Sequence, residues 1–199
     1  MSVFEVLQTD VLKIEMPRSL MSDEEFFEFC TLNKDWQVER SKTGQILIRT
    51  LNLIEDSFKK SELGRQLGNW NFDKKSGFVS ESNGGYILPD TSMKAPDAAW
   101  ISNGRFAQRY NADKKTFPYV CPEFIIELMS DSDTLKSSSK RMEDWIENGC
   151  LMAWLINPKT EKVYVYREEG LVHIIEGFDK IVSGEDVLPD FELILKHLK

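Results

Sequence analysis

The segment EFIIELM, residues 123–129, limits the fold more than any other part of the sequence, because it is an apolar run of strand length that contains a carboxylate. Side chains alternate between the two faces of a strand, so Glu127 shares a face with Ile125 and Met129, while the other apolar residues take the opposite face. A strand that is apolar on both faces is typical of the middle of a sheet that is covered on both sides. The sequence therefore predicts an α/β fold in which Glu127 is buried, and burying an unpaired carboxylate costs several kcal/mol.

A second carboxylate, Asp97, opens the segment DAAWIS, residues 97–102, which has the length and composition of another strand. If this strand pairs beside EFIIELM, Asp97 approaches Glu127, and neighbouring carboxylates repel each other unless a cation is present. A divalent ion removes this conflict, and a site made only of oxygen ligands favours Mg²⁺ or Mn²⁺ over zinc. Two other interpretations stay open: Asp97 follows Pro96 and can cap a turn, and Glu127 can be a buried acid paired with a lysine or arginine.

Helix signals flank these two segments. The stretch SDEEFFEFCTLN begins with Ser22 and carries Glu25 three residues later, which is the capping-box signature of a helix start. Helical spacing of apolar residues, Phe58 among them, predicts a second helix over residues 54–70. A polar helix that stops at Gly149 follows EFIIELM. Before EFIIELM, the connection NGRFAQRYNADKK is predicted to be partly helical.

Two hairpins and a late run of strands complete the prediction. SKTG separates WQVER from QILIRT, and Asn83-Gly84 is the turn signal between GFVSES and YILPD. The late strands are LMAWLIN, KVYVYRE, LVHIIEG and a short FELILK. We therefore expect a single domain over residues 1–199, with its core over about 22–195, in which helices flank a mixed, curved central β-sheet and an N-terminal helix and hairpin precede it.

The charge balance argues against a general nucleic-acid-binding surface. The chain has 25 Lys and Arg against 33 Asp and Glu, a formal net charge of −8, whereas tight non-specific binding to DNA requires a basic footprint. A nuclease is not excluded, because a bound metal and a local basic stripe can offset a negative total. The basic clusters FKKSELGR, RFAQRYNADKK and SSSKR are compatible with such a stripe or with solvated faces.

The lengths of the apolar runs and the pattern of cysteines predict the cellular compartment of the protein. No apolar run approaches the roughly 20 residues that span a bilayer, and the N-terminal residues lack the basic-then-apolar layout of a signal peptide. We therefore expect a soluble, cytoplasmic protein without membrane contact. Cys30, Cys121 and Cys150 are odd in number, widely spaced and set among apolar residues, which favours reduced thiols in the core.

The catalytic motifs that the sequence lacks narrow the types of reaction that we expect of this protein. The only histidines are His173 and His197, so a histidine-based triad or a site with several histidine ligands is disfavoured. No glycine-rich phosphate loop occurs, which leaves nucleotide-cofactor chemistry without a motif. What remains is acidic chemistry in the two strands that carry Asp97 and Glu127.

Four blocks resemble the Uma-type family of putative restriction endonucleases. They are EEFFEFCTLNKDWQVERSKTGQILI, GGYILPDTSMKAPDAAWIS, FPYVCPEFIIELMSDSDTLK and KRMEDWIENGCLMAWLINP. The resemblance covers roughly residues 22–195 and keeps the blocks in order. It implies a restriction-endonuclease-like fold of the PD-(D/E)XK superfamily, a bacterial origin and metal-dependent hydrolysis of DNA.

The resemblance also implies site residues. The strand-borne acids of the family fall on Asp97 and Glu127, and its upstream glutamate falls on Glu39, as a direct or water-mediated metal ligand. The nuclease pattern expects a lysine two residues after the second acid, but this chain has Met129 there. The family resembles nucleases whose basic residue has moved to the following helix, where KRMEDW places Arg141 at the lysine position and Lys140 before it.

Helical geometry favours Arg141 over Lys140. With about 100° per residue, Arg141 lies roughly 95° from the centre of the apolar face of its helix, beside Trp145, whereas Lys140 lies roughly 165° away and points to water. We therefore predict that Arg141, with Lys140 as the second choice, stabilises phosphate charge. An arginine stays protonated and cannot act as a base, and an ion pair between Arg141 and Glu127 in a metal-free protein stays an alternative.

Two functions follow from these residues. The first is an Mg²⁺- or Mn²⁺-dependent endonuclease that hydrolyses phosphodiester bonds in DNA, with Asp97, Glu127 and Glu39 at the metal. The second is a binding or assembly module that keeps the fold without the chemistry, which Met129, Arg141 and the net charge of −8 favour. A homodimer is compatible with both, because cutting two strands requires two sites.

Overall fold

The computed structural model describes residues 11–49, 53–109 and 116–199. The strands in these ranges are β1 (Val11–Ile14), β2 (Gln37–Arg40), β3 (Ile46–Arg49), β4 (Gly77–Glu81), β5 (Tyr86–Ile87), β6 (Met93–Lys94), β7 (Ala98–Ser102), β8 (Phe124–Leu128), β9 (Met152–Asn157), β10 (Lys162–Arg167), β11 (Gly170–Glu176), β12 (Ile181–Ser183) and β13 (Glu192–Ile194). The helices are α1 (Asp23–Leu32), α2 (Ile54–Lys74), α3 (Asn103–Arg109) and α4 (Leu135–Glu147), with short 3-10 helices at Arg18–Leu20 and Leu195–Leu198.

A six-stranded sheet in the order β11-β10-β9-β8-β7-β4 has the segment EFIIELM near its centre as β8. β8 and β9 are parallel, and the other neighbouring pairs are antiparallel. A parallel pair needs a crossover connection, which α4 provides between β8 and β9. Every residue of β8 is buried, so the central strand predicted from its two apolar faces is confirmed.

Helices cover both faces of this sheet. On one face, Leu63 and Leu67 of α2 pack in a cluster with Ile126 of β8. On the other face, Trp145 of α4 packs in a cluster with Ile125 of the same strand. The alternation of β8 side chains thus divides the core into a layer under α2 and a layer under α4.

The predicted hairpin around Asn83-Gly84 is wrong, because its two strands belong to different sheets. β4 pairs over its whole length with β7, whereas β5 pairs with β6 in a separate five-stranded sheet of order β1-β3-β2-β6-β5. The turn itself forms, with the Gly84 amide donating to the Glu81 carbonyl. A turn signal specifies where the chain reverses but not which strand completes the ladder, and all five residues of β4 form their ladder with β7.

Other elements differ from the prediction in smaller ways. β1 and β12, which the sequence does not predict, pair with β3 and β13. α2 continues to Lys74, beyond its predicted end at residue 70, and Phe58 is 66% exposed rather than packed against the sheet. The helical part of the connection NGRFAQRYNADKK is confirmed as α3, and residues 110–115 of this connection lie outside the described residues.

The cysteines are free thiols, as predicted. Cys121 and Cys150 are buried in the core, whereas Cys30 is half-buried. Burial raises the pKa of Cys30 to about 11, so this thiol is protonated and unreactive at neutral pH.

A serine cap begins α1, and Ser22→Ala is expected to lower the free energy of unfolding by about 1 kcal/mol. The Glu25 amide donates to Ser22 Oγ at 3.1 Å, and the Ser22 amide donates to the Glu25 carboxylate at 2.7 Å, which completes the predicted capping box. Urea unfolding measures this loss. An unchanged free energy of unfolding would contradict a stabilising role for the cap.

Within the described ranges, no helix combines the length and the apolar composition that crossing a bilayer requires.

Candidate functional site

Glu127 lies in β8, and Asp97 immediately precedes the adjoining strand β7 of the six-stranded sheet. β7 and β8 are antiparallel with Ala98 opposite Ile126, and continuing this register by one position aligns Asp97 with Glu127. The Leu128 amide donates to Asp97 Oδ2 at 2.7 Å, which ties the carboxylate to β8. The side chains of both acids are buried, with Asp97 6% and Glu127 7% exposed. The two acids lie close enough for the charge of Asp97 to raise the pKa of Glu127.

Arg141 of α4 is the cation that faces Glu127. Its Nε donates to Glu127 Oε1 at 2.7 Å, and the Trp145 indole Nε1 donates to the same oxygen at 3.1 Å. Burial lowers the pKa of Arg141, but the charges of Glu127 and Glu39 outweigh this effect and hold that pKa well above its ordinary value. Arg141 is therefore a permanent cation at the site.

Lys140, the second choice from the sequence, lies on the solvent side of α4. Its side chain is 60% exposed and pairs with acids of its own helix, Glu143, Asp144 and Glu147. Because neighbouring residues of a helix point in directions about 100° apart, Lys140 and Arg141 cannot both face the sheet.

Glu39 of β2, in the five-stranded sheet, is the second carboxylate that binds Arg141. Arg141 Nη1 donates to Glu39 Oε2 at 2.8 Å, and Nη2 donates to Oε1 at 2.7 Å, a two-point contact between guanidinium and carboxylate. The Ala95 amide also donates to Glu39 Oε1, at 2.8 Å, and Arg49 Nη2 lies 3.6 Å from Oε2. Both oxygens of Glu39 thus bind Arg141, and its role as a metal ligand stays a prediction.

The buried Glu39 is expected to make stability depend on acid pH. Burial raises its pKa, but Arg141, Arg49 and the Ala95 amide outweigh this effect and hold the pKa of Glu39 at about 2, below its ordinary 4.5. A carboxyl with a lowered pKa stabilises the fold above pH 4.5 and loses that contribution as the pH falls toward 2. We therefore expect the difference in free energy of unfolding between wild type and Glu39→Gln to be roughly 2 kcal/mol smaller at pH 3 than at pH 7. Urea unfolding at both pH values measures it, and a difference independent of pH would contradict this assignment.

Lys60 of α2 is the site residue that the sequence prediction misses. Its Nζ lies 2.9 Å from Asp97 Oδ1, and its side chain is mostly buried. Lys60 belongs to the cluster FKKSELGR, which by itself is equally compatible with a solvated face. Helical periodicity could have identified this residue. Lys60 precedes Leu63 by three residues and Leu67 by seven, which places it on the buried side of α2.

Met129, at the strand position where the nuclease pattern expects lysine, is buried and packs with Met142 and Trp145. The cations of this site come instead from helices on the two faces of the sheet, Lys60 from α2 and Arg141 from α4.

The two strand-borne carboxylates fit the ligand preference of a hard divalent cation. Burial raises the pKa of Glu127, Arg141 lowers it and Asp97 raises it, and the net effect is an increase. Burial is the largest cause of this increase, and the charge of Asp97 adds to it. Mg²⁺ is commonly held by one or two carboxylates, with water and substrate oxygens completing its shell. No group of three or more His, Cys, Asp and Glu side chains in the described part of the chain is arranged to hold a metal, so the fit rests on Asp97 and Glu127 alone.

A cleft of about 460 Å³, here called the α2 cleft, lies beside Asp97 between α2 and β4. Its polar lining consists of Lys60, Glu81, Asp97 and the residues Ser57, Ser61, Ser80 and Ser82. Lysine and serine side chains are common partners of the phosphate and sugar groups of nucleic acids. The α2 cleft therefore gives a polar ligand access to Asp97.

Comparisons with known proteins agree with this architecture. The sequence profile of the Uma2 family, described as "Putative restriction endonuclease", matches residues 23–196. A crystal structure described as a putative nuclease, from Anabaena variabilis ATCC 29413, is similar with a TM-score of 0.67 and 18% sequence identity, over 81% of this chain and 88% of that chain. No curated protein matches the chain significantly. The structural likeness shows a restriction-endonuclease-like fold, and because the family match spans most of the sequence, the chain belongs to the Uma2 family of putative restriction endonucleases.

Proposed function

We propose that the protein is a metal-dependent endonuclease that hydrolyses phosphodiester bonds in DNA, with Mg²⁺ or Mn²⁺ as its cofactor. The observation that carries the proposal is a pair of buried carboxylates, Asp97 just before β7 and Glu127 in the adjoining strand β8, of which Asp97 lines the polar α2 cleft. Hard oxygen ligands of this kind favour Mg²⁺ or Mn²⁺. Membership of a family of restriction-endonuclease-like proteins supports DNA as the substrate.

Asp97 and Glu127 are the proposed ligands. The Leu128 amide holds Asp97 in a fixed orientation, and the Trp145 indole and Arg141 hold Glu127. These two carboxylates would hold the divalent ion, which would supply Lewis acidity toward the phosphoryl group and a lowered pKa for water. In the hydrolysis, water attacks phosphorus in line as the bond to the leaving oxygen breaks; the attacking water releases a proton to solvent, and the leaving oxygen takes up a proton from solvent.

Arg141 is proposed to stabilise negative charge on the phosphate. Its guanidinium is a permanent cation, so it cannot accept the proton of the attacking water. Glu39 is a positioning residue in this scheme, since its two-point contact fixes the guanidinium beside Glu127. Lys140 is less suited to this task, because it pairs with acids on the solvent side of α4.

A second candidate function is a binding or assembly module that keeps the fold without cleavage. The observation that favours it is that each strand-borne acid already has a cationic partner, Lys60 at Asp97 and Arg141 at Glu127. The carboxylates are compensated without a metal in this arrangement. The buried Met129, at the position of the expected lysine, agrees with such a loss of chemistry.

A plasmid-cleavage assay separates the two functions. Supercoiled DNA is incubated with the protein and Mg²⁺ or Mn²⁺, with EDTA as the control. We expect nicked or linear product only with the divalent ion, and linear product from single encounters would indicate two sites, as in a homodimer. Intact plasmid with both ions, from a correctly folded preparation, would reject the endonuclease and leave the binding module.

A further inference from the structure

The contact between Lys60 and Asp97 leads to an inference that rests on the proposed function. We propose that Lys60 occupies, in the free protein, the position on Asp97 that the divalent cation takes, so that lysine and metal compete for one carboxylate. Lys60 thereby joins the site as a residue that closes it in the absence of metal and substrate.

The two oxygens of Asp97 have different environments. Oδ2 accepts the hydrogen bond from the Leu128 amide at 2.7 Å and is thereby directed at the backbone of β8. Oδ1 faces Lys60 Nζ at 2.9 Å. Because the Leu128 contact restricts rotation of the carboxylate, a cation that approaches from the α2 cleft meets Oδ1, which is the oxygen that the ammonium covers.

The two cations of the site differ in the chemistry of their side chains. Arg141 donates four hydrogen bonds, to Glu127, to both oxygens of Glu39 and to the Ala95 carbonyl. Its planar guanidinium is therefore locked between the two sheets. A lysine ammonium is a compact charge on a flexible stem with rotatable donors. The α2 cleft, with its serine hydroxyls, offers Lys60 a polar space next to Asp97 into which it can move.

Charge repulsion explains why Lys60 and the metal exchange at Asp97. Each carboxylate of the site already has a cation, with Arg141 and Arg49 at Glu39, Arg141 at Glu127 and Lys60 at Asp97. A dication that binds Asp97 while Lys60 stays there would place two like charges beside one carboxylate, which is unfavourable. Withdrawal of Lys60 from Asp97 removes this repulsion. In the α2 cleft, the displaced ammonium would lie where the phosphate of the substrate enters.

Mn²⁺ titration of the whole chain tests the competition without using activity as the readout. The bound fraction is measured by the loss of the electron paramagnetic resonance signal of free Mn²⁺ for wild type, Lys60→Gln and Lys59→Gln. The Lys59 variant is the matched control, because it removes the same charge from the adjacent residue of α2. We expect Lys60→Gln to bind Mn²⁺ about tenfold more tightly than wild type, since a unit charge beside the ligand is removed, and Lys59→Gln to change the affinity by about twofold or less.

Three results would overturn the inference. They are an unchanged or weaker Mn²⁺ affinity in Lys60→Gln, an equal gain in Lys59→Gln, and a gain that persists when Asp97→Asn is added to Lys60→Gln. Circular dichroism confirms that each variant is folded.

Plasmid cleavage, run beside the titration, separates this inference from the proposed function. Tighter Mn²⁺ binding in Lys60→Gln without cleavage by wild type supports the competition and rejects the endonuclease. Asp97-dependent cleavage with unchanged Mn²⁺ affinity in Lys60→Gln supports the endonuclease and rejects the competition.

Discussion

Glu127→Gln is expected to abolish metal-dependent cleavage of plasmid DNA, with a loss of rate of about 10³-fold or more, or about 4 kcal/mol of transition-state stabilisation. The substitution keeps the size of the side chain but replaces the charged group that is proposed to hold the cation with a neutral one, so binding of the cation is expected to be lost. The rate of conversion of supercoiled to nicked plasmid measures the effect.

Glu123→Gln is the matched control for this prediction. Glu123 precedes β8 by one residue, is buried on the same face as Glu127, and interacts with Ser102 and Arg105 at the far end of the strand. We expect this variant to keep the wild-type rate once its folded fraction is taken into account. Equal losses in both variants would indicate a structural effect of removing a buried acid, and no loss in Glu127→Gln would remove Glu127 from the proposed site.

The fold is expected to tolerate Glu127→Gln. The raised pKa of Glu127 shows that the folded environment disfavours the ionised form, with burial as the largest cause. A neutral amide at this position removes that penalty, and Arg141 keeps its two-point contact with Glu39. Thermal unfolding followed by circular dichroism checks that the loss of cleavage is not a loss of structure.

Arg141→Met is expected to lower the free energy of unfolding by about 3–5 kcal/mol, the cost of leaving buried charges without their partner. Glu39, which is 1% exposed, loses both of its strongest contacts, and Glu127 loses its cation. Small domains have a total stability of about 5–15 kcal/mol, so this one change removes a large part of it. Urea unfolding monitored by tryptophan fluorescence measures the loss.

Lys140→Met is the matched control, since it removes a positive charge one residue earlier on α4. Its partners lie on the same helix and are exposed to solvent, so no measurable destabilisation is expected. Adding Glu39→Gln to Arg141→Met should restore part of the lost stability, because one of the two uncompensated charges is then removed. If both single variants were equally stable, Arg141 would not be the cation that joins the two sheets.

The sequence by itself determined the features that depend on local order along the chain. The alternation in EFIIELM identified a central strand, and the spacing of Ser22 and Glu25 identified the start of α1. Both follow from the fixed periods of strands and helices and from the unpaired amides of a helix end. The same helical period placed Arg141, rather than Lys140, on the side of α4 that faces the sheet.

Only the tertiary structure decided which distant groups meet. The sequence indicated that Asp97 and Glu127 require positive charge, but it did not identify Lys60 as the partner of Asp97, nor show that Glu39, on a strand of the second sheet, holds Arg141. It also assigned β4 to the wrong partner strand. The physical reason is common to these cases: hydrogen-bond ladders and ion pairs form between groups that are distant in sequence, and their choice of partner is set by the packing of whole sheets and helices, which no local period encodes.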